Sequence, residues 1–355
     1  MRIAQVAPLF ESVPPKAYGG TERVVSYLTE ALIALGHEVT LFASGDSITS
    51  AELVPIVERS LRLDPTQPYW LPWHTLMLDE VFQRARQFDV IHFHIDYLHY
   101  PLARRCPTPC LTTFHGRLDL PELAPLHRHF SDMPVVSISD YQRRPLPHAN
   151  WLGTVHHGLP GGLYRFHPTA EDYFVFVGRI SPEKRVDRAI AIAKACGTRL
   201  RIAAKVDEAD RRYFETQIRP LLDHPLVEFL GEIDDVQKNE LVGRARALLF
   251  PIDWPEPFGL VMIEAFACGT PVIAFRHGSV PEVMVDGVTG YVVDSLEAAI
   301  AAARRVGELD RRRIRALFDR RFTAPAMAEG YLAIYRRLCR ERARLSRDTG
   351  TPQPA

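Results

Sequence analysis

The feature that most constrains this chain is a pattern met twice. A run of consecutive apolar residues leads through a loop into a stretch with helical apolar spacing, then a glycine and a second apolar run. In its first occurrence Arg2 to Ala7 reads as a strand, Pro8 to Gly20 as a Pro/Gly-rich loop, Val24, Leu28, Ala31 and Leu32 as a helix face, Gly36 as its stop and Glu38 to Ala43 as the next strand. The second begins at Tyr173: FVFVG is a strand, Ser181 to Lys184 a loop and helix opening with Ser181-Pro182 as its cap, Val186 to Cys196 a helix, and Leu200 to Ala204 a strand. Further runs at Val90 to Phe93, Cys110 to Phe114, Val135 to Ile138, Val227 to Leu230, Ala247 to Pro251, Pro271 to Phe275 and Gly290 to Val293 are continuous, as for strands buried on both faces of a parallel sheet. Helical patterns intervene at Val236 to Ala245, Leu260 to Cys268 and Leu296 to Val306. The economical architecture is α/β, two doubly wound domains joined near Gly158 to Pro168, with a ligand cleft outside the carboxyl ends of the strands. The segment Asp46 to Tyr69 carries no clear pattern.

A chain of 355 residues, 46% of them hydrophobic, can fill two such cores. Its 43 basic and 43 acidic residues cancel, so no global field holds a nucleic acid, and an anion must be bound by a local site. No apolar run approaches the ~20 residues of a membrane span, and MRIAQVAP lacks a signal peptide's apolar region, which makes the cytoplasm the expected compartment. Five scattered cysteines, Cys106 and Cys110 among them, point to reduced thiols rather than a disulfide frame or a zinc site. His92 and His94 share a strand face, yet without a clear third ligand, packing or support is the better reading for them and for His99, and no metal is expected. The Arg-rich RRLCRERARLSR reads as a solvated helical end, with at most weak contact to an anionic membrane surface.

The chemistry concentrates in WPEPFGLVMIEAFACGTPVIAF. Trp254 and Glu256 each precede a proline, which holds them extended and presents the Glu256 carboxylate on a rigid loop. Gly259 permits close approach of a ligand to the backbone, and the helix from Leu260 directs free N–H groups and its positive end at an anion. Glu264 lies eight positions beyond Glu256, so both carboxylates can accept hydrogen bonds from hydroxyls flanking a phosphate. Alone, either is a solvated or helix-turn acid. Arg179 and Lys184, in VGRISPEKRVDRA, are the candidate cations for that anion, though singly each is an ordinary surface charge. In AYGGTER, Gly19 and Gly20 before a helix form a weaker second phosphate or sugar contact, and no GxGxxG, GxxxxGK[ST] or GxSxG motif occurs. His115, after the strand in TTFHG, stands where a ligand sits and can meet a substrate hydroxyl, a core or capping histidine being the equal alternative.

These stretches, GRISPEK, EPFGLVMIEAFACGTPVIA and GSVPEVMVDGVTGYVV, with GGTER and FHG in the first half, resemble retaining glycosyltransferase family 4 over nearly the whole chain. The resemblance implies the GT-B fold of two Rossmann-like domains: 1–160 on the acceptor side, 161–323 binding the nucleotide sugar, a helix 324–345 packing back on the first, and a disordered tail 346–355. It implies that Glu264 binds the ribose, that Glu256 and the backbone of Phe258, Gly259 and Leu260 contact the donor sugar and phosphates, that Arg179 and Lys184 meet the diphosphate and Gly20 the distal phosphate, and that His115 lies on the sugar near the reaction centre. HFHIDYLHYPLARR and HGRLDLPEL resemble the bacterial subgroup of UDP-glucose:tetrahydrobiopterin glucosyltransferase-like proteins, which implies a UDP-sugar in preference to a GDP-sugar, and UDP-glucose in particular. Two positions depart from the family: Arg185 replaces a glycine, and His157-Gly158 replaces Asn-Gly.

The implied reaction is hexosyl transfer with retention to a hydroxyl-bearing acceptor, with Arg179, Lys184 and the helix N-terminus meeting the charge on the leaving diphosphate without a metal. No carboxylate suggests itself as a nucleophile, so substitution on the front face is the expectation. The alternatives are a nucleotide-sugar epimerase of similar fold and a binding protein without turnover. The acceptor is not legible: Asp46 to Tyr69 and Arg117 to His129 carry no diagnostic pattern, and Tyr69, Trp70, Leu71 and Trp73 suit either an apolar acceptor site or a core.

Overall fold

The computed structural model describes residues 1–16, 19–64 and 66–348. The chain divides into two compact units, one of Met1–Pro160 with Ala324–Ala355, the other of Gly161–Thr323. The first holds a seven-stranded parallel sheet of β1 (Arg2–Val6), β2 (Glu38–Ala43), β3 (Glu52–Pro55), β4 (Val90–Phe93), β5 (Cys110–Thr113), β6 (Pro134–Ser137) and β7 (Asn150–Thr154), in the order β3-β2-β1-β4-β5-β6-β7. The chain winds outward from β1 through β2 to β3, then returns to β4 on the other side of β1 and winds the opposite way. The strand order therefore reverses between β1 and β4, the kind of position at which open α/β sheets take their ligands.

The second unit repeats the plan with β8 (Tyr173–Arg179), β9 (Arg199–Lys205), β10 (Val227–Gly231), β11 (Ala247–Phe250), β12 (Val272–Phe275) and β13 (Gly290–Val293), all parallel in the order β10-β9-β8-β11-β12-β13. Here the reversal falls between β8 and β11. The continuous apolar runs are the buried strands: every residue of β4, β5, β11 and β12 is buried. The helix Leu260–Cys268 is apolar except for Glu264 and buried from Met262 onward, each large apolar side chain contributing about 1.5–3 kcal/mol. It is closed by Gly269 in the left-handed region at φ 79°.

Several elements lie outside the sequence reading. Within Asp46 to Tyr69 the chain forms β3, a short edge strand with Pro55 at its end, and a 3₁₀ turn at Leu61–Leu63. A helix, Leu71–Gln83, buries His74, Met77, Leu78 and Val81. Tyr69, Trp70 and Leu71 are exposed at its start, whereas Trp73 packs against the core. The strand β7 and the helix Arg311–Arg321 were not marked by the pattern either. The last helix, Ala324–Asp348, runs three residues past Leu345. It lies along Gly20–Ala34, and Gly330 sits beside Val155. Of the tail 346–355, residues 349–355 lie outside the described residues. Among the described residues no helix is long and apolar enough to cross a membrane.

Candidate functional site

In the second unit the loops after β8 and β11 flank the strand reversal. Beyond β8, Pro182–Lys184 make a single 3₁₀ turn, and Ser181 precedes it without capping it through its side chain. The helix runs Val186–Cys196, as expected, but the turn at Pro182–Lys184 does not continue into it, because Arg185 between them adopts the left-handed conformation, φ 52° and ψ 49°. This is the position where the family pattern has glycine, and the backbone there has the geometry that favours glycine. Arg185 is held in it by ion pairs to Asp187 and Asp253, both at 2.8 Å.

The turn places Lys184 Nζ on Glu256 Oε2, and the same oxygen accepts from Trp254 Nε1 at 2.9 Å. The ammonium also lies over the Trp254 ring, 4.9 Å from its centre. Glu256 is thus a buried, paired carboxylate and not a solvated loop acid. Its backbone is gripped too: the Ser279 amide donates to the Glu256 carbonyl at 2.9 Å, and the Ser279 hydroxyl to the Phe258 carbonyl at 2.9 Å. Gly278, at φ 58°, lies so close that a Cβ there would fall 2.3 Å from the Glu256 carbonyl oxygen. Phe258 turns its ring into the core against Phe322, so only its backbone is available to a ligand. Gly259, at φ 80°, starts the helix Leu260–Cys268, whose first N–H groups have no intrahelical acceptor.

Glu264 is buried and accepts from Lys238 Nζ at 2.9 Å; Lys238 also reaches Asp235 at 3.1 Å. A carboxylate has about four acceptor positions, so one ammonium leaves capacity for hydroxyls. Lys238 was missed in the sequence because it lies 26 positions away on another helix and no local motif links the two. Arg179 is engaged differently from Lys184: carboxylates of Glu183, Asp207 and Asp210 surround it at 2.6, 3.6 and 3.6 Å. The two candidate cations have separate partners, and Lys184 is the one brought against Glu256.

In the first unit, Gly19 and Gly20 lead from the β1 loop into the helix Gly20–Ala34. A Cβ on Gly19 would lie 2.8 Å from Pro15 and 3.2 Å from the Glu22 carboxylate, so the turn is closed to larger residues. Glu22 and Glu11 are both buried, Glu11 is paired with Arg62 at 2.9 Å, and burial together with the Glu11 charge raises the Glu22 carboxyl. Neither acid was singled out in the sequence.

His115 stands just beyond β5. Its Nε2 lies 2.9 Å from His94 Nδ1, and its ring stacks on His157 at 5.3 Å and 14°. The departure from the family's Asn-Gly therefore falls on this histidine's face. His92 and His94 are neighbours, 4.0 Å between ring centres, while His99 lies with Phe93 and Thr112 and joins a different cluster. Burial holds His115 uncharged, its pKa down to about 3, and depresses those of His92, His94 and His157 well below the ordinary value. Among the described residues no group of three or more His, Cys, Asp or Glu side chains is arranged to hold a metal ion.

Two parallel doubly wound sheets, each with polar groups at its strand reversal, define a two-domain Rossmann-like α/β class, and comparison with known proteins assigns the family. The Glycosyltransferase Family 4 model matches residues 18–212 and that of Glycosyl transferases group 1 residues 165–315. Glycogen synthase of Mycobacterium tuberculosis is 28% identical over 389 residues, covering 91% of this chain and 93% of that protein. Among solved structures, AviGT4, a glycosyltransferase of avilamycin A biosynthesis, is 25% identical with a TM-score of 0.73, covering 96% and 98% of the two chains. Anabaena HepE, in complex with UDP and glucose, is 19% identical with a TM-score of 0.69 over 94% and 98%. The chain belongs to glycosyltransferase family 4 and has the GT-B fold.

Proposed function

We propose that this glycosyltransferase transfers a hexosyl group with retention from a nucleoside diphosphate sugar, UDP-glucose, to a hydroxyl-bearing acceptor. The observation that carries the reading is the contact of Lys184 with Glu256 across the strand reversal of the second unit, beside the Gly259 helix start. An ammonium, a buried carboxylate and free helical N–H groups at one point suit a phosphorylated sugar: the cation and N–H groups for the diphosphate, the carboxylate for sugar hydroxyls. Glu264 then accepts from the ribose diol, Arg179 serves the diphosphate, the Gly19-Gly20 turn the distal phosphate, and His115 a sugar hydroxyl. The UDP and glucose bound by HepE support the donor by analogy of fold.

In the reaction the bond from the anomeric carbon to the diphosphate oxygen breaks as the bond to the acceptor oxygen forms on the same face. The acceptor's proton passes to the leaving diphosphate. Lys184, released from Glu256 by the bound sugar hydroxyls, meets the charge that grows on that leaving group, with no metal required. We assign the protein to the cytoplasm.

The test is thermal stabilisation by UDP, GDP, ADP and their hexose conjugates, with and without EDTA. A hundredfold excess over Kd stabilises by about 2.7 kcal/mol. A shift with UDP-glucose that survives EDTA and is lost in Glu264→Ala supports the reading; no shift with any nucleotide sugar defeats it. Conversion of the nucleotide sugar without an acceptor would turn the assignment to an epimerase.

A further inference from the structure

Three histidines of the first unit, His92, His94 and His115, are joined through Gln5 and Tyr335 by hydrogen bonds that share one direction. Gln5, fully buried on β1, donates from Nε2 to the Tyr335 hydroxyl at 3.2 Å and turns Oε1 to His94 Nε2 at 2.7 Å. An amide oxygen only accepts, so His94 carries its proton on Nε2 and its Nδ1 is bare. That bare nitrogen faces His115 Nε2 at 2.9 Å, so His115 carries its proton there. The other branch agrees. Tyr335, having accepted from Gln5, donates to His92 Nδ1 at 2.7 Å; His92 Nε2–H donates to Thr113 Oγ1 at 2.8 Å, and Thr113 donates to the Tyr331 hydroxyl at 3.0 Å.

The chain of bonds ends at His115 Nδ1, a buried nitrogen with no hydrogen-bond partner among the described residues, on a ring that is only half-buried as a whole. Reversing every bond would leave a buried N–H unpaired at that end, which is rarer and costlier than an unpaired acceptor. We infer that Gln5 and His94 are positioning residues that hold His115 as the Nε2–H tautomer, so that its Nδ1 accepts a hydrogen bond from a hydroxyl of the bound sugar. A neutral lone pair takes a hydroxyl and has nothing to offer a phosphate oxygen or a carboxylate. The inference rests on the glycosyltransferase reading for its ligand, but not for its tautomer.

Long-range ¹⁵N–¹H correlation spectra of the histidine-labelled full chain read the tautomer directly. The expected result is a protonated Nε2 and an unprotonated Nδ1 on His115; a protonated Nδ1 overturns the inference without any variant. Gln5→Met, which keeps the volume and removes the acceptor, should spread His115 over both tautomers. Gln5→Glu, which as a carboxylate only accepts, should keep the native one. Turnover should fall about tenfold in Gln5→Met, the order of one hydrogen bond, with donor KM within about twofold, and should recover in Gln5→Glu. An unchanged tautomer in Gln5→Met also overturns it. UDP-glucose should move the Nδ1 resonance and UDP should not; binding of UDP-glucose without that movement refutes the hydroxyl contact. If UDP-glucose does not bind while the spectra show the expected tautomer, it is the donor assignment that fails and the relay that stands.

Discussion

At the scale of residues, Lys184 and Glu256 are mutual partners, with side chains only 18% and 11% exposed. Removing the ammonium leaves a buried carboxylate with Trp254 as its remaining side-chain donor. Lys184→Met should therefore lower kcat by about 100-fold while donor KM changes less than about fivefold, and destabilise the fold by about 1–3 kcal/mol. Steady-state kinetics and urea unfolding check the two parts, and equal losses in kcat and affinity would count against a role on the leaving group. Arg185 offers a contrast, since its left-handed backbone is strained and its ion pairs are partly exposed. Arg185→Gly should stay within about 0.5 kcal/mol of the parent, strain relief offsetting lost pairs, whereas Arg185→Ala should be about 1 kcal/mol less stable than Arg185→Gly.

At the scale of elements, what was legible and what was not has a physical reason. Glu38 to Ala43 and Leu260 to Cys268 are observed with the predicted ends because most of their side chains are both buried and apolar. β7 was missed because NWLGT is half-buried along its length and contains a glycine. Arg311–Arg321 hides its buried stripe of Ile314, Leu317 and Phe318 among arginines. Its first residue is itself an anchor. The Arg311 guanidinium donates to the His167 and Ala245 carbonyls at 2.7 and 3.0 Å, to Thr270 Oγ1 at 2.7 Å and to the Gly243 carbonyl, and burial lowers its pKa to about 10. No local pattern reveals such long-range acceptors. Arg311→Met should cost about 3 kcal/mol by leaving those groups unpaired, read as a lower urea midpoint. The candidate site was legible to the same degree: Glu256, Lys184 and Gly259 announce themselves through proline and glycine spacing, while Lys238, Glu22 and Gln5 make contacts that only the fold creates.

At the scale of the whole molecule the two units should answer acid differently. His92, His94, His115 and His157 of the first unit are neutral in the fold, with pKa values depressed by burial. The unfolded chain binds their protons near pH 6.5, so this contribution is intact above that value and is lost as pH falls toward the folded values, by up to about 1.4 kcal/mol per pH unit for each group. Hydrogen exchange between pH 7.5 and 5.5 should show amides of β1, β4 and β5 losing protection well before those of β8 and β11; equal loss in both units would refute this. The histidine cluster is closed by Tyr331 and Tyr335, from the helix that follows the whole second unit in the chain. The first unit is thus the first to leave the ribosome and the last to be finished. Its β1 and β4 must wait, with Gln5 and His92 uncovered, while some 160 residues of another domain are made and folded. The second unit is contiguous and has no such delay, so the order of synthesis and the order of folding run opposite to one another.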